Sequence, residues 1–436
     1  MTWTSADATV AFDGPPDFPN SDRYLLKNLH VPSALCSLKP SENGWCEVDI
    51  LVRQGQISTI QPTAKGIATD AHSIDADNSV LLSGLVDCHT HLDKAHVASF
   101  ADFAATDLAG AIDAMVQNKA TWTADQLQRR VEFSLKSAYA YGVRALRSHV
   151  DFSPDTPPFI GEVMQDAVNR WRGRIEIQLA PLANITYFED PDFCKAIYSM
   201  AARHGRIGMF LYDQSDLSAR LTPIFERANA QGWDIDLHVD EGLDPSLDGL
   251  NVVAQVAINT AFQGTVLCGH CVALNCYDQQ RREQVITQAI SAGLHFVALP
   301  TTNLYLQSRH EDFAPQSRGM APVASLMAAG ATVSLGADNV DDGFCAFGDF
   351  DPMAVLNLGA QLGHLHEPVR NFSTLITSSP ATTMGLDWNG VITPGAPADF
   401  VLLAGRTSRE ISQRTTAGRQ VVRAGKWLSQ EPPDFR

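Results

Sequence analysis

The sequence predicts an α/β fold: a (β/α)8 barrel (TIM barrel) with a small composite β-sandwich domain formed by its N- and C-terminal segments. Three observations lead there. Eight short β-branched apolar runs recur through the middle of the chain, segments of helical period separate them, and each run finishes in polar, chemically capable residues. Barrel enzymes carry their active residues at the C-terminal ends of the strands, so polar tips on all eight runs fit a barrel. A doubly wound sheet would not need them.

Taken in order, residues 1–82 form the N-terminal part of the composite β domain, with alternating runs YLLKNLHV, EVDILVRQGQISTIQP and HSIDADNSVLL broken by Gly, Asn and Asp turn signals. Residues 83–385 form the barrel. Its strands read LVDCHTH, RALRSHVD, RIEIQLAP, RIGMFLYD, DIDLHVDE, TVLCGHC, HFVALPTT and TVSLGADN, and TADQLQRRVEFSLKSAYAYG shows the intervening helical period. Residues 386–436 return to β pattern in GVITPGAPADFVLLAG and GRQVVRAGKWL, so the two ends are expected to pair.

Composition narrows the function. A chain of 436 residues, 45% hydrophobic and 19% charged, can bury one large core plus a satellite domain. Asp and Glu number 49 against 32 Lys and Arg, a formal charge of −17 with no basic cluster to offset it, so neither nucleic acid nor a membrane surface is an expected partner. The opening MTWTSADATVAFDGPPDF has no basic start or apolar core, and VLLSGLV is far shorter than the ~20 residues of a membrane span. Eight scattered cysteines make no dense disulfide framework, which suits a reducing cytoplasm. A homo-oligomer is left open.

His89 and His91 are two apart at the end of the first run, so in a strand both imidazoles point to the same side. His238 ends the fifth run, His270 the sixth and Asp338 the eighth, which brings four histidines and one carboxylate to one rim. Imidazole nitrogens with a carboxylate oxygen suit one divalent ion, Zn or Fe, with a position left open for water. Binuclear sites on such barrels use a carboxylated lysine on the fourth strand, and no lysine lies between Lys195 and Lys426. A bridged pair of metals is therefore not expected, which leaves His270 beside the metal rather than on it. Glu241, three residues past His238, is placed to reach a substrate and move protons. His149 and Asp151 lie at the second rim position, with ligand orientation or loop capping as their expected roles. Cys268 and Cys271 read as packing residues, and the H-x-E with P-C-x-x-C pattern of the small zinc deaminases is absent.

The chain resembles the metal-dependent amidohydrolase superfamily, in the branch of bacterial cytosine deaminase and N-isopropylammelide isopropylamidohydrolase. The resemblance rests on GLVDCHTHLDK at 84–94, RSHVDFS at 147–153, HVDE at 238–241, GHC around His270, NLYLQSR at 303–309, RGMAPV at 318–323 and GADNVDDGF at 336–344. It implies that His89, His91, His238 and Asp338 hold the metal and that Glu241 and His270 work on a small heterocyclic substrate. In such enzymes metal-bound hydroxide attacks an amidine-like ring carbon, the aspartate takes the water's proton, and the glutamate protonates the adjacent ring nitrogen. His270 would stabilise the oxyanion or orient the hydroxide.

Cytosine deaminase reads its pyrimidine with a glutamine in a Pro-Gln segment, where this chain has Pro181-Leu182, and has a second aspartate where this chain has Asn339. Both departures point away from cytosine. Asn339 and Lys94 are similar to the triazine side of the branch, and Phe344 stands where the branch carries a tryptophan flanking the substrate. The expected activity is hydrolytic deamination of an amino- or alkylamino-substituted nitrogen heterocycle. A cyclic amidase opening a lactam or imide ring is the alternative, and a noncatalytic metal-binding scaffold is the alternative of another class.

Overall fold

The computed structural model describes residues 21–98, 108–309, 314, 317, 319–413, 418–429 and 431–434. The opening segment and Arg318 of RGMAPV lie outside them. In chain order the strands are β1 (Arg23–Pro32), β2 (Trp45–Arg53), β3 (Gln56–Pro62), β4 (His72–Asp75) and β5 (Val80–Ser83). Next come β6 (Leu85–Thr90), β7 (Val143–Asp151), β8 (Glu176–Asn184), β9 (Arg206–Phe210), β10 (Asp234–Val239), β11 (Val266–His270), β12 (His295–Ala298) and β13 (Val333–Leu335). The last are β14 (Phe400–Leu403), β15 (Arg419–Arg423) and β16 (Lys426–Leu428).

Two compact units result. Among the described residues, one gathers 21–84 with Val369–Asn371 and those of the stretch that begins at Val391, up to 429. Its sheet runs β16-β15-β14-β5-β1-β2-β3, with β4 also on β1, so the two chain ends share one sheet through the β5–β14 pairing. A bulge between Leu26 and Leu29 puts Asn28 at φ 55, and the buried Asp49 receives the Asn28 N–H at 3.0 Å.

The second unit holds the barrel. Strands β6 to β13 pair in parallel in sequence order, and a parallel bridge joins Thr90 to Asp338, bringing the last strand against the first. The Asp338 N–H donates to the His89 carbonyl at 2.9 Å, and the His91 N–H donates to the Asp338 carbonyl at 3.2 Å. Helices alternate with the strands. Thr123 starts the helix Ala124–Ala140 with a capping box closed by Gln126, and Asp190 caps Pro191–His204.

Side-chain parity decides which residues reach the barrel interior. Arg147, fully buried, donates to Asp236 Oδ2 at 3.0 Å and to Gln178 Oε1 at 3.1 and 3.0 Å, which fixes the inward faces of β7, β10 and β8. By the two-residue period His149 and Asp151, His238, and Ala180 and Leu182 also face inward. Ala183, of opposite parity, packs outward on Phe193 and Ile197. No helix among the described residues is long and apolar enough to cross a membrane.

Candidate active site

Five imidazoles crowd the C-terminal mouth of the barrel. The His89 ring centroid lies 4.3 Å from that of His149, 4.7 Å from His238, and 5.7 Å from both His91 and His270. Such crowding needs small neighbours: a Cβ on Gly269 of β11 would come within 2.9 Å of His89 Cε1. His270 and Asp338 adopt left-handed backbone, φ 67 and φ 57, which turns the chain sharply at two strand ends.

Most of the donor atoms in this cluster are bare. Both ring nitrogens of His89, both carboxylate oxygens of Asp338, His238 Nδ1 and His270 Nε2 are buried without a hydrogen-bond partner. His89 Nε2 and His91 Nε2 lie 3.4 and 3.2 Å from Asp338 Oδ1, and His91 Nε2 lies 3.2 Å from His238 Nε2. Ligand atoms set tetrahedrally at 2.0–2.2 Å from an ion are about 3.3–3.6 Å apart, so the residues present fit a divalent metal. Two overlapping groups of donors, His89, His91, His149 and His238, and His89, His238, His270 and Asp338, form among the described residues, and a third, His91, Asp93 and Asp151, shares His91 with the first. The sequence-expected quartet is divided between the first two groups, with His89 and His238 common to both.

Electrostatics favours the ligating form of three rings, whereas at His91 burial and Lys94 are outweighed by the Asp151 and Asp338 contacts, which raise it to about 9. Burial and the neighbouring imidazoles hold His238 far below the usual histidine range, and burial brings His270 down to about 3 and His149 to about 4. These rings are neutral at physiological pH, as metal ligation requires. Burial opposes ionisation of Asp338, but its contacts with His89 and His91 hold the carboxyl well below the carboxylate range. Glu241 goes the other way. Burial, and then the Asp338 charge, push it up to about 8. Its Oε1 lies 3.5 Å from His270 Nδ1.

Local structure explains how Glu241 is held. The preceding Asp240 accepts the Gly249 and Leu250 N–H groups at 2.9 Å and Gln214 Nε2 at 2.6 Å, tying the loop after β10 to the start of the helix Gly249–Asn259. Beside it, Lys94 Nζ donates to Asp151 Oδ2 at 2.9 Å and sits 4.4 Å from the centre of the Phe344 ring. Burial opposes the Lys94 charge, but Asp151, Asp342 and Asp93 outweigh it and raise the ammonium pKa. Asn339 donates Nδ2–H to Asp342 Oδ2 at 2.7 Å, so one of its amide hydrogens is already engaged. Leu182 is buried on the inward face of β8.

Sequence reasoning gave His149 no place among the clustered donors. Its Nε2 lies 3.2 Å from Asp236 Oδ1, and Arg147 anchors that carboxylate. The signal was available as period-two parity, since Arg147 and Asp236 each sit two residues before a rim histidine. Asn303 and Gln307, which touch His270 and Glu241, stood in the NLYLQSR motif without assigned roles. Cys268 and Cys271 are buried free thiols, apart from the donor groups found among the described residues.

Buried imidazoles and a carboxylate at the mouth of a (β/α)8 barrel define a metal-dependent hydrolase. The chain belongs to the amidohydrolase family, whose model matches residues 196–428, and is a hydrolase acting on C–N bonds. It is 33% identical over 422 residues to a pterin deaminase of Rhizobium rhizogenes, with 96% of each chain covered. Against the N-isopropylammelide isopropyl amidohydrolase of Pseudomonas sp. strain ADP it is 24% identical, covering 81% of this chain and 87% of that one. Its fold is similar to the crystal structure of 5-methylcytosine deaminase from Klebsiella pneumoniae, with a TM-score of 0.81 and 22% identity over 94% of this chain and 99% of that one.

Proposed function

We propose that this hydrolase deaminates an amino-substituted nitrogen heterocycle, of the 2-amino-4-oxopteridine class before a single-ring pyrimidine. The observation that carries the reading is Glu241, buried and raised to about 8, standing beside a cluster of bare metal-ligating atoms. Support for the substrate class comes from the full-length similarity to a pterin deaminase and from the apolar Leu182 on the inward face of β8.

His89, His91, His238 and Asp338 would hold one divalent ion, zinc or iron, which when bound supplies Lewis acidity for activating water. His149 faces Asp236 and His270 faces Asn303, so these two rings take supporting roles. Glu241, protonated near neutrality, donates to the ring nitrogen beside the amino-bearing carbon as water oxygen adds to that carbon. Asp338 takes the water's proton, and His270 donates a hydrogen bond to the new oxygen. A proton then passes to the amino group, the C–N bond breaks, ammonia leaves and the carbonyl forms. Lys94, Phe344, Leu182 and the free N–H of Asn339 would line the ring.

The test is an ammonia-release assay over aminopyrimidines, aminotriazines and pterins, run beside elemental analysis. Pterin should give the 2,4-dioxopteridine with one ammonia per turnover. The reading fails if no aminated heterocycle releases ammonia or amine, or if a carboxylate appears without either.

A further inference from the structure

After β12 the chain forms the short helix Pro300–Leu306. The Gln307 N–H donates to the Asn303 carbonyl at 3.0 Å, so these two side chains stand one turn apart on the same face. Each reaches a different site residue. Asn303, wholly buried, donates Nδ2–H to His270 Nδ1 at 3.0 Å. Gln307 Nε2 donates to the backbone carbonyl of Glu241. Thr302, next to Asn303, accepts the Asn339 N–H on Oγ1 at 3.2 Å. The chain passes close over this face, since a Cβ on Gly319 would stand 2.6 Å from Gln307 Cγ.

We infer that Asn303 and Gln307 are positioning residues that set the spacing of His270 and Glu241, and that Asn303 selects the tautomer of His270. The inference rests on the reading of His270 and Glu241 as the groups that work on the substrate. An imidazole that accepts at Nδ1 carries its proton on Nε2. His270 Nε2 is the buried nitrogen without a protein partner, so as N–H it is a donor to a reacting oxygen and has no lone pair for a metal. The opposite tautomer would turn the same ring into a ligand. A single amide thus keeps a fifth imidazole of the cluster off the metal. Gln307 complements it from the backbone side, by fixing the carbonyl of the residue whose carboxyl lies 3.5 Å from His270.

Histidine-selective 15N labelling of the zinc-loaded protein reads the tautomer directly and needs no substrate. The expected spectrum shows His270 with a protonated Nε2 and a pyridine-like Nδ1, assigned by its loss in His270→Ala. Asn303→Asp should reverse it, because a carboxylate accepts from Nδ1–H. It should tighten zinc retention against a chelator and lower kcat about 10–100-fold with KM little changed, the usual scale for groups that orient a metal site. Gln307→Leu should lower kcat less and leave the His270 signal in place. A wild-type His270 protonated on Nδ1, or an Asn303→Asp protein with unchanged signal and unchanged kcat, overturns the inference. A His270→Ala enzyme of near-native activity would overturn the underlying functional reading instead.

Discussion

In the sheet formed by the chain termini, the buried Asp49 accepts two hydrogen bonds on Oδ1, at 3.0 Å each from the Asn28 N–H and the Thr63 hydroxyl, while its Oδ2 has no partner, and the buried Tyr24 hydroxyl donates to the Gly425 carbonyl at 2.9 Å. At the barrel mouth Asp338 is just as buried, yet neither of its oxygens has a hydrogen-bond partner. An unmet buried polar group costs roughly 1–3 kcal/mol, more when charged, so a fold does not keep several together without a compensating occupant. In the terminal sheet one Asp49 oxygen serves a backbone N–H and a hydroxyl. At the mouth both Asp338 oxygens are left for something that the chain does not supply.

The strongest way to break this contrast is to remove a donor that both overlapping groups share. His89→Ala should lose its stoichiometric metal and all measurable turnover, with elemental analysis and an activity assay as the checks. Full metal content in that variant would mean that the bare atoms of β6 are idle.

Glu241 tests a finer point, the residue whose unusual state is electrostatic. Glu241→Gln should keep metal and fold but lose about 10²–10⁴ in turnover. In the native enzyme kcat/KM should fall as pH rises through about 8, where the proton donor is lost. The same shift acts on stability. The folded state holds this proton from above the ordinary carboxyl range up to about 8, and the unfolded chain releases it near 4, so stability declines as pH rises across that window. Glu241→Gln should therefore gain thermal stability over the native protein at pH 8 and little at pH 4. Equal gains at both values would show that its carboxyl is not raised.

The sequence carried much of this because the barrel's two periods are written into it. Eight apolar runs ending in polar residues gave the strands, and i, i+2 spacing put His89 and His91 on one face. It did not rank the imidazoles, since whether His149 meets the metal depends on how far β7 advances beside β6, a register set by backbone pairing with a shift between Asp87 and Thr90. Asn303 and Gln307 were hidden for another reason. Their reach depends on the direction in which a seven-residue helix leaves β12, and no local pattern encodes that.

Leu182 is an apolar side chain on the inward face of β8, the face on which Gln178 receives Arg147. Leu182→Gln adds a donor and an acceptor there. It should shift the ratio of kcat/KM values toward cytosine by about tenfold relative to pterin, the scale of one new hydrogen bond weighed against the apolar surface it replaces. An unchanged ratio across the heterocycle panel would place Leu182 away from the substrate.

The smallest kinetic effect is expected at the carboxylate whose Oδ1 already serves its own sheet. Asp49→Ala leaves the Asn28 N–H and the Thr63 hydroxyl without their acceptor, at a cost of about 1–3 kcal/mol in stability. Because the Asn28 N–H belongs to a bulge that interrupts the β1–β2 register, losing its acceptor should loosen this part of the sheet, seen as faster amide exchange in β1 and β2 and a lower Tm. Metal content and kcat/KM per folded molecule should stay at native values. That result would separate the two roles of a buried carboxylate, one completing the backbone's hydrogen bonds and the other reserving its oxygens for a ligand. A large fall in metal affinity on Asp49→Ala would instead mean that the terminal sheet participates in building the site, and the contrast between the regions would collapse.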